Sequence, residues 1–66
     1  MTDVGLCLRV AQAKYNMSSA DLARRLDVAP IQVLRWRKSK NLKFHTVEQL
    51  INEFGIGLDE FCSLGS

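Results

Sequence analysis

Residues 19–38 read SADLARRLDVAPIQVLRWRK, and the spacing of the apolar residues in this stretch decides the fold. Ala23 is a small residue at the point where a second helix would cross the first one closely. Val28, five residues later, is placed to fill the turn from the inside. Val33 and Trp36 then follow at the helical spacing that turns one side of the second helix inward. These four positions together predict two short helices that cross at a tight turn, the helix-turn-helix motif.

The ends of these two helices carry residues that suit them. Ser18, followed three residues later by Asp21, is typical of a capping box, so the first helix of the motif is predicted to span 19–26. Pro30 suits the first position of the next helix, where its missing N–H does no harm. That helix is predicted to end near Lys38.

Further helices are predicted on both sides of the motif. The first runs from about Asp3 to Tyr15, and its apolar residues recur every three or four positions. They are Val4, Cys7, Leu8, Ala11 and Tyr15. After the motif we expect a polar loop over 39–45, held to the core by Leu42, by Phe44 or by both.

The fourth helix is predicted to begin at a capping box formed by Thr46 and Gln49. Its buried face would consist of Val47, Leu50, Ile51 and Phe54. Gly55 is placed to end this helix in a left-handed conformation, and Gly57 introduces a short fifth helix. No stretch alternates as a strand does. The sequence therefore predicts an all-α fold, a compact bundle of five short helices in a single domain over 1–66.

The composition fits one globular domain. Hydrophobic residues make up 47% and charged residues 24% of the chain, values that disfavour a disordered or a membrane protein. The opening MTDVGLCLRV lacks the pattern of a secretory signal, so the cytoplasm is the expected compartment. Cys7 and Cys62 have no CxxC spacing and are predicted to be small buried hydrophobes. A disulfide between them is an alternative that a reducing cytosol disfavours.

Charge is unevenly distributed along the chain. Five basic residues and no acidic residue lie between Arg35 and Lys43, whereas residues 44–66 contain four acidic residues and no lysine or arginine. The end of the predicted third helix and the loop after it are therefore strongly positive. A phosphate-bearing partner would be attracted to this region and repelled by the C-terminal part.

The chain resembles the lambda-repressor-like helix-turn-helix domains, a family that includes Cro proteins and phage repressors. The resemblance covers nearly the whole sequence, through GLCLRVAQA at 5–13, LARRLDVAPIQVLRW at 22–36 and VEQLINEFGIGLDEF at 47–61. It implies a five-helix fold, double-stranded operator DNA as the ligand and, in most members, a two-fold dimer.

Three features depart from the family pattern. The turn carries Asp27 where glycine is usual, so this residue must adopt a left-handed conformation. Ala29 stands where serine or threonine commonly caps the next helix. Gln12 and Arg37 replace an Arg–Glu pair, so the family's ion pair is expected to be absent and Arg37 to be free for solvent, another acid or phosphate.

With Val33 and Trp36 inward, the other face of the third helix is free to lie in the major groove. The resemblance implies base contacts from Pro30, Ile31 and Arg35, with Gln32 and Leu34 as further candidates. For Arg35 we predict a bidentate contact to guanine O6 and N7, with a simple phosphate contact as the alternative. For Gln32 the partner would be adenine, phosphate or only water.

Two hydrophobic residues one turn apart are unusual on a solvent-facing helix side. We predict that Ile31, and with it Leu34, packs on thymine methyl groups. The alternatives are that Leu34 packs against a neighbouring helix or the loop and that Ile31 belongs to the core. Trp36 would stack on a base only if it pointed outward, whereas its register predicts a core residue.

Phosphate contacts are implied at the start of the second helix, at the end of the third and in the loop that follows. The residues are Ser19, Lys38, Lys40, Asn41 and Lys43. Four to six such contacts per dimer would give a slope of about −4 to −5 for log affinity against log salt. A merely solvated basic surface is the alternative.

No catalytic, metal or cofactor site is predicted. His45 is the only histidine and has no cysteine, histidine or carboxylate at ligand spacing. No serine or cysteine has a suitable base beside it in sequence, and no glycine-rich phosphate loop occurs. We therefore expect neither an enzyme nor a small-molecule substrate.

The expected assembly is a homodimer, since one such domain offers little surface for tight operator binding. Leu58, Phe61 and Leu64 are the candidate dimer contacts, with completion of the monomer core as the alternative for Leu58 and Phe61. The leading hypothesis is a sequence-specific transcriptional regulator of phage or prophage type that occludes a promoter. The chain would be either a Cro-like or repressor-like protein in itself or the DNA-binding domain of a longer repressor. The alternative is a protein-interaction module, such as an antitoxin or adaptor.

Overall fold

The structure, a computed structural model, describes residues 3–65 of the chain. The described part contains five α-helices and no strand. They are α1 Val4–Lys14, α2 Ser19–Leu26, α3 Pro30–Lys38, α4 Phe44–Phe54 and α5 Leu58–Leu64. The predicted all-α fold of five short helices is confirmed.

The helix-turn-helix has the ends that the sequence predicts. The Ser18 side chain accepts a hydrogen bond from the Asp21 N–H at 3.0 Å, and α2 spans Ser19–Leu26. Hydrogen bonds with Ser18 also lower the pKa of the Asp21 carboxyl below its ordinary value. Asp27 ends α2 in the left-handed region, at φ 57° and ψ 47°, and Pro30 is the first residue of α3. Local chemistry therefore sets the start of both helices of the motif: a side-chain cap begins α2, and the fixed φ of Pro30 suits the first turn of α3.

The core lies where α1 packs against α3 and α5 and where α2 crosses α3. Its buried hydrophobic residues are Cys7, Leu8, Ala11, Leu22, Ala23, Val33, Trp36, Val47, Leu50, Phe54 and Phe61. Ala23 is buried as the crossing requires, and Val28 is half-buried against the core. Trp36 is only 9% exposed, so the predicted inward rotation of α3 is confirmed.

The N-terminal end of α1 lies against the chain that leaves α3. The Val4 N–H donates to the Lys40 carbonyl at 3.0 Å. A Cβ added to Gly5 would lie 2.6 Å from the Arg37 carbonyl oxygen and would also collide with the Ser39 carbonyl oxygen. Glycine is thus the residue that allows α1 and the end of α3 to approach this closely. This contact holds the basic loop in place.

The start of α4 differs from the prediction. The helix begins at Phe44, with Lys43 at the N-cap, because the Lys43 carbonyl already accepts the Val47 N–H at 3.1 Å. The Thr46 capping box is therefore wrong, since Thr46 lies within the helix. Leu42 is half-buried against the core and anchors the loop, whereas Phe44 is 63% exposed.

The last helix closes the bundle against α1. Gly55 ends α4 at φ 71°, as predicted, and Gly57 precedes α5. The Tyr15 hydroxyl donates to the Glu60 carboxylate at 2.7 Å, and this bond raises the pKa of Tyr15. Cys7 is buried, with its thiol 3.7 Å from the Cys62 carbonyl oxygen, and burial raises the pKa of that thiol.

Within the described residues, no helix has the length and apolar character needed to cross a membrane.

The α3 helix begins without a side-chain cap, because the side chain of its N-cap residue Ala29 has no oxygen. The free energy of unfolding is expected to be about 1 kcal/mol higher for the variant Ala29→Thr than for Ala29→Val. The two side chains have the same shape, and only threonine can accept a hydrogen bond from the first turn. Urea unfolding followed by circular dichroism measures the difference, and equal stabilities would contradict the prediction.

Candidate nucleic-acid interface

The outward face of α3 carries the predicted base-contacting residues. Ile31 is 56% and Leu34 43% exposed. Pro30 and Arg35 are also exposed, and Gln32 is half-buried. Neither hydrophobic residue is sequestered in the core, so the face combines apolar surface with a cation.

A groove runs along one side of the C-terminal half of α3. Its lining residues are Gln32, Arg35, Trp36, Ser39, Asn41, Leu42, Lys43 and Thr46. Two candidate base contacts, Gln32 and Arg35, thus lie beside two candidate phosphate contacts, Asn41 and Lys43. Among residues 3–65, no hydrogen bond or ion pair engages Arg35, so its guanidinium is available to a ligand.

A second depression lies on the other side of α3, towards α1. It is lined by Asp3, Arg9, Leu34, Arg37, Lys38 and Lys40.

Arg9 was not predicted from the sequence as a residue of this surface. The available signal was Gly5, one turn before Arg9, because a glycine inside a predicted helix often marks a close approach of another backbone. Arg9 lies on this turn, and its Nε donates to the Gly5 carbonyl at 3.3 Å.

The candidate phosphate contacts at the end of α3 and in the loop after it are all accessible. Lys38, Lys40, Asn41 and Lys43 are exposed. The Ser39 hydroxyl donates to the Asn41 carbonyl at 2.6 Å, which ties the loop to the end of α3. The loop therefore presents its cations from a fixed backbone.

The fifth candidate phosphate contact, Ser19, is half-buried in a polar cluster. The Arg37 Nη1 donates to the Gln12 Oε1 at 2.9 Å and lies 3.4 Å from the Ser19 Oγ. The Gln12 side chain is buried, and its Nε2 also contacts the Ser19 Oγ, at 3.3 Å. Arg37 was expected to be free for solvent, another acid or phosphate; in the structure its Nη1 is bonded to two neutral side chains, and no hydrogen bond among residues 3–65 involves its other guanidinium nitrogen atoms. A hydrogen bond from the Arg37 guanidinium to a neutral amide takes the place of the family's ion pair.

The three candidate dimer contacts have different surroundings. Leu58 is 40% exposed, and Leu64 is half-buried against the core. Phe61 is 1% exposed and fills the core between α5 and its neighbours. Phe61 is thus corrected to a core residue, which is the alternative that the sequence left open.

No other chemistry is gathered near this face. His45 is exposed, and in the range 3–65 no group of three histidine, cysteine or carboxylate residues is placed to hold a metal. The indole of Trp36 faces the core, which leaves no ring on α3 to stack on a base.

This arrangement, a helix-turn-helix with an open α3 face beside a basic loop, is that of the helix-turn-helix DNA-binding domains. The sequence model of the Cro/C1-type HTH DNA-binding domain matches residues 8–64, and the chain belongs to this family. The resemblance seen in the sequence is confirmed, and membership supports a DNA-binding regulator. Comparisons with curated proteins and with solved structures gave no match.

Proposed function

We propose that this protein is a sequence-specific transcriptional regulator, Cro-like or repressor-like and of phage or prophage type. It binds operator half-sites in double-stranded DNA as a homodimer and occludes a promoter, in the cytoplasm or nucleoid. The observation that carries this proposal is the rotation of α3. Val33 and Trp36 are buried, while Ile31, Leu34 and Arg35 are exposed on the opposite face.

Sequence choice comes from the exposed face of α3. Arg35 donates two hydrogen bonds to the O6 and N7 of one guanine, a geometry that its planar guanidinium fits. Ile31 and Leu34 pack on thymine methyl groups, which offer apolar surface in the major groove. Pro30 and Gln32, the neighbours of Ile31 on the same helix, are the remaining base contacts.

Affinity comes from the DNA backbone. Lys38, Lys40, Asn41 and Lys43 contact phosphates on either side of the groove that α3 enters, and Ser19 contacts a phosphate from the start of α2. These contacts carry no sequence information, but they fix the register of α3 on the duplex. The fixed loop backbone supports this role, because only the side chains of the cations, and not the loop itself, need to be ordered on binding.

Two copies bind two half-sites about one helical turn apart. The exposed Leu58 and the half-buried Leu64 supply apolar surface for the contact between copies. This arrangement doubles the interface with DNA, which the small surface of one domain requires for tight binding.

The variant Arg35→Ala tests the proposal. It is expected to relax selectivity at one base pair of each half-site by about 1–3 kcal/mol and to leave the other positions unchanged. Selection of bound sequences from random duplex DNA, with the parent and the variant, measures this effect. Arg25→Ala, which removes an equal charge from a residue 3.9 Å from Glu53, is the matched control.

Two results would contradict the proposal. One is a selection in which the parent enriches no sequence. The other is a protein that binds no DNA but binds a protein partner, and still binds that partner after Arg35 and Lys38 are both replaced. That result would favour the antitoxin or adaptor class.

A further inference from the structure

Arg37 is a cation in a half-buried position without an anion. Its Nη1 contacts the neutral groups Gln12 Oε1 and Ser19 Oγ. Among residues 3–65, no carboxylate lies within ion-pair distance of its guanidinium. A partly buried charge without a counter-charge costs free energy, and a bound anion would recover that cost.

The donors of this cluster exceed its acceptors. A guanidinium has five N–H groups, and the hydrogen bonds of Arg37 involve only Nη1. The Ser19 Oγ accepts from both Gln12 Nε2 and Arg37 Nη1, so both lone pairs are used and its O–H is left to donate. Ser19 and Arg37 thus hold spare donors side by side. Gln12, only 4% exposed, fixes both.

The surroundings of Arg37 favour an anion as well. It lines the depression between α1 and α3 together with Arg9, Lys38 and Lys40. The one acidic residue there, Asp3, accepts the Leu6 N–H at 3.1 Å as the cap of α1. Four cations therefore face one carboxylate.

We propose that Arg37 and Ser19, positioned by Gln12, form a phosphate clamp that holds one backbone phosphate of duplex DNA in each half-site. The clamp joins α1, α2 and α3 at a single phosphate, and it adds Arg37 to the DNA-contacting residues. It rests on the proposed function, because the phosphate it holds belongs to the operator.

The test is Gln12→Glu, a change of nearly equal shape that places a carboxylate on Arg37. The variant gains an ion pair with Arg37 but loses the hydrogen bonds from the Gln12 Nε2 to the Met17 carbonyl and to the Ser19 Oγ, both at 3.3 Å, so urea unfolding first establishes that it is folded under the binding conditions. Its DNA affinity is expected to fall about tenfold, and its salt slope to weaken by about one unit per protomer. Asn52→Asp, the same amide-to-carboxylate change at an exposed position of α4, is the matched control and should alter neither quantity.

A second variant and a direct signal make the test independent of the folding of Gln12→Glu. Ser19→Ala removes only the hydroxyl and is expected to weaken DNA binding about tenfold. In the parent, the Arg37 Nε–Hε resonance and the Ser19 amide resonance should shift when DNA or inorganic phosphate is added, and the phosphate shifts should be lost in Gln12→Glu.

The outcomes separate this inference from the proposed function. If the parent binds selected DNA and Gln12→Glu and Ser19→Ala bind it equally well, the clamp is overturned and the function stands. Shifts with inorganic phosphate but not with bound DNA overturn the operator as the source of the phosphate. If the parent binds no DNA, the proposed function fails. If, in addition, the Arg37 and Ser19 resonances do not shift when inorganic phosphate is added, the clamp itself is overturned.

Discussion

Replacing Gly5 with alanine is expected to lower the free energy of unfolding by about 3 kcal/mol, towards the upper end of the usual cost of overpacking. The added Cβ would lie 2.6 Å from the Arg37 carbonyl oxygen and would also overlap the Ser39 carbonyl oxygen. Both atoms belong to the backbone, so α1 must move away from the end of α3. Elsewhere in a helix the same substitution stabilises by up to about 1 kcal/mol, so the sign of the effect identifies the contact.

Urea unfolding followed by circular dichroism measures this loss. Gly57→Ala is the matched control, because a Cβ there meets nothing within 4 Å. The control is expected to change stability by less than about 1 kcal/mol. A Gly5→Ala variant as stable as the parent would show that α1 does not press on the end of α3. The loop over 39–43 would then lack the support described above.

Replacing Trp36 with alanine is expected to cost about 3–5 kcal/mol of stability, a large part of the total for a domain of this size. The indole is the largest side chain of the core, and its removal leaves a cavity between α3 and the helices that cover it. A hydrophobic core of this size rarely supplies more than about 3–5 kcal/mol, so most molecules of the variant are expected to be unfolded at room temperature.

Circular dichroism and thermal unfolding check this result, with two variants for comparison. Trp36→Phe retains an aromatic ring and should lose less stability than Trp36→Ala. Ile31→Ala removes an exposed hydrophobic residue of the same helix and should leave stability almost unchanged. A Trp36→Ala variant that folds normally and loses only DNA binding would mean that the indole faces the ligand.

The helix-turn-helix could be predicted from sequence because local chemistry defines it. Ser18 caps α2 through a residue three positions away, and the fixed φ of Pro30 suits the first turn of α3. The left-handed Asp27 is also a local property of the turn. The exposed face of α3 followed from the same helical register, since Val33 and Trp36 occupy the opposite side. These features required no knowledge of distant parts of the chain.

The features that escaped prediction depend on residues far apart in sequence. The contact of Gly5 with the end of α3 joins positions more than thirty residues apart. The acceptors of Arg37 lie on α1 and α2, so the sequence showed the missing ion pair but not the hydrogen bonds that replace it. The choice of Leu42 over Phe44 as the loop residue that packs on the core is also set by distant residues. The early start of α4 is the exception, because it depends on the local hydrogen bond from the Val47 N–H to the Lys43 carbonyl.

The attachment of the basic loop has a thermodynamic consequence. Lys40 is bonded through its carbonyl to Val4, Asn41 accepts from Ser39, and Leu42 packs on the core. The backbone conformational entropy of these residues is therefore lost when the chain folds, not when it meets a ligand. A partner encounters a preorganised surface, and the heat capacity change of association reflects the area covered, with no contribution from coupled folding of the loop.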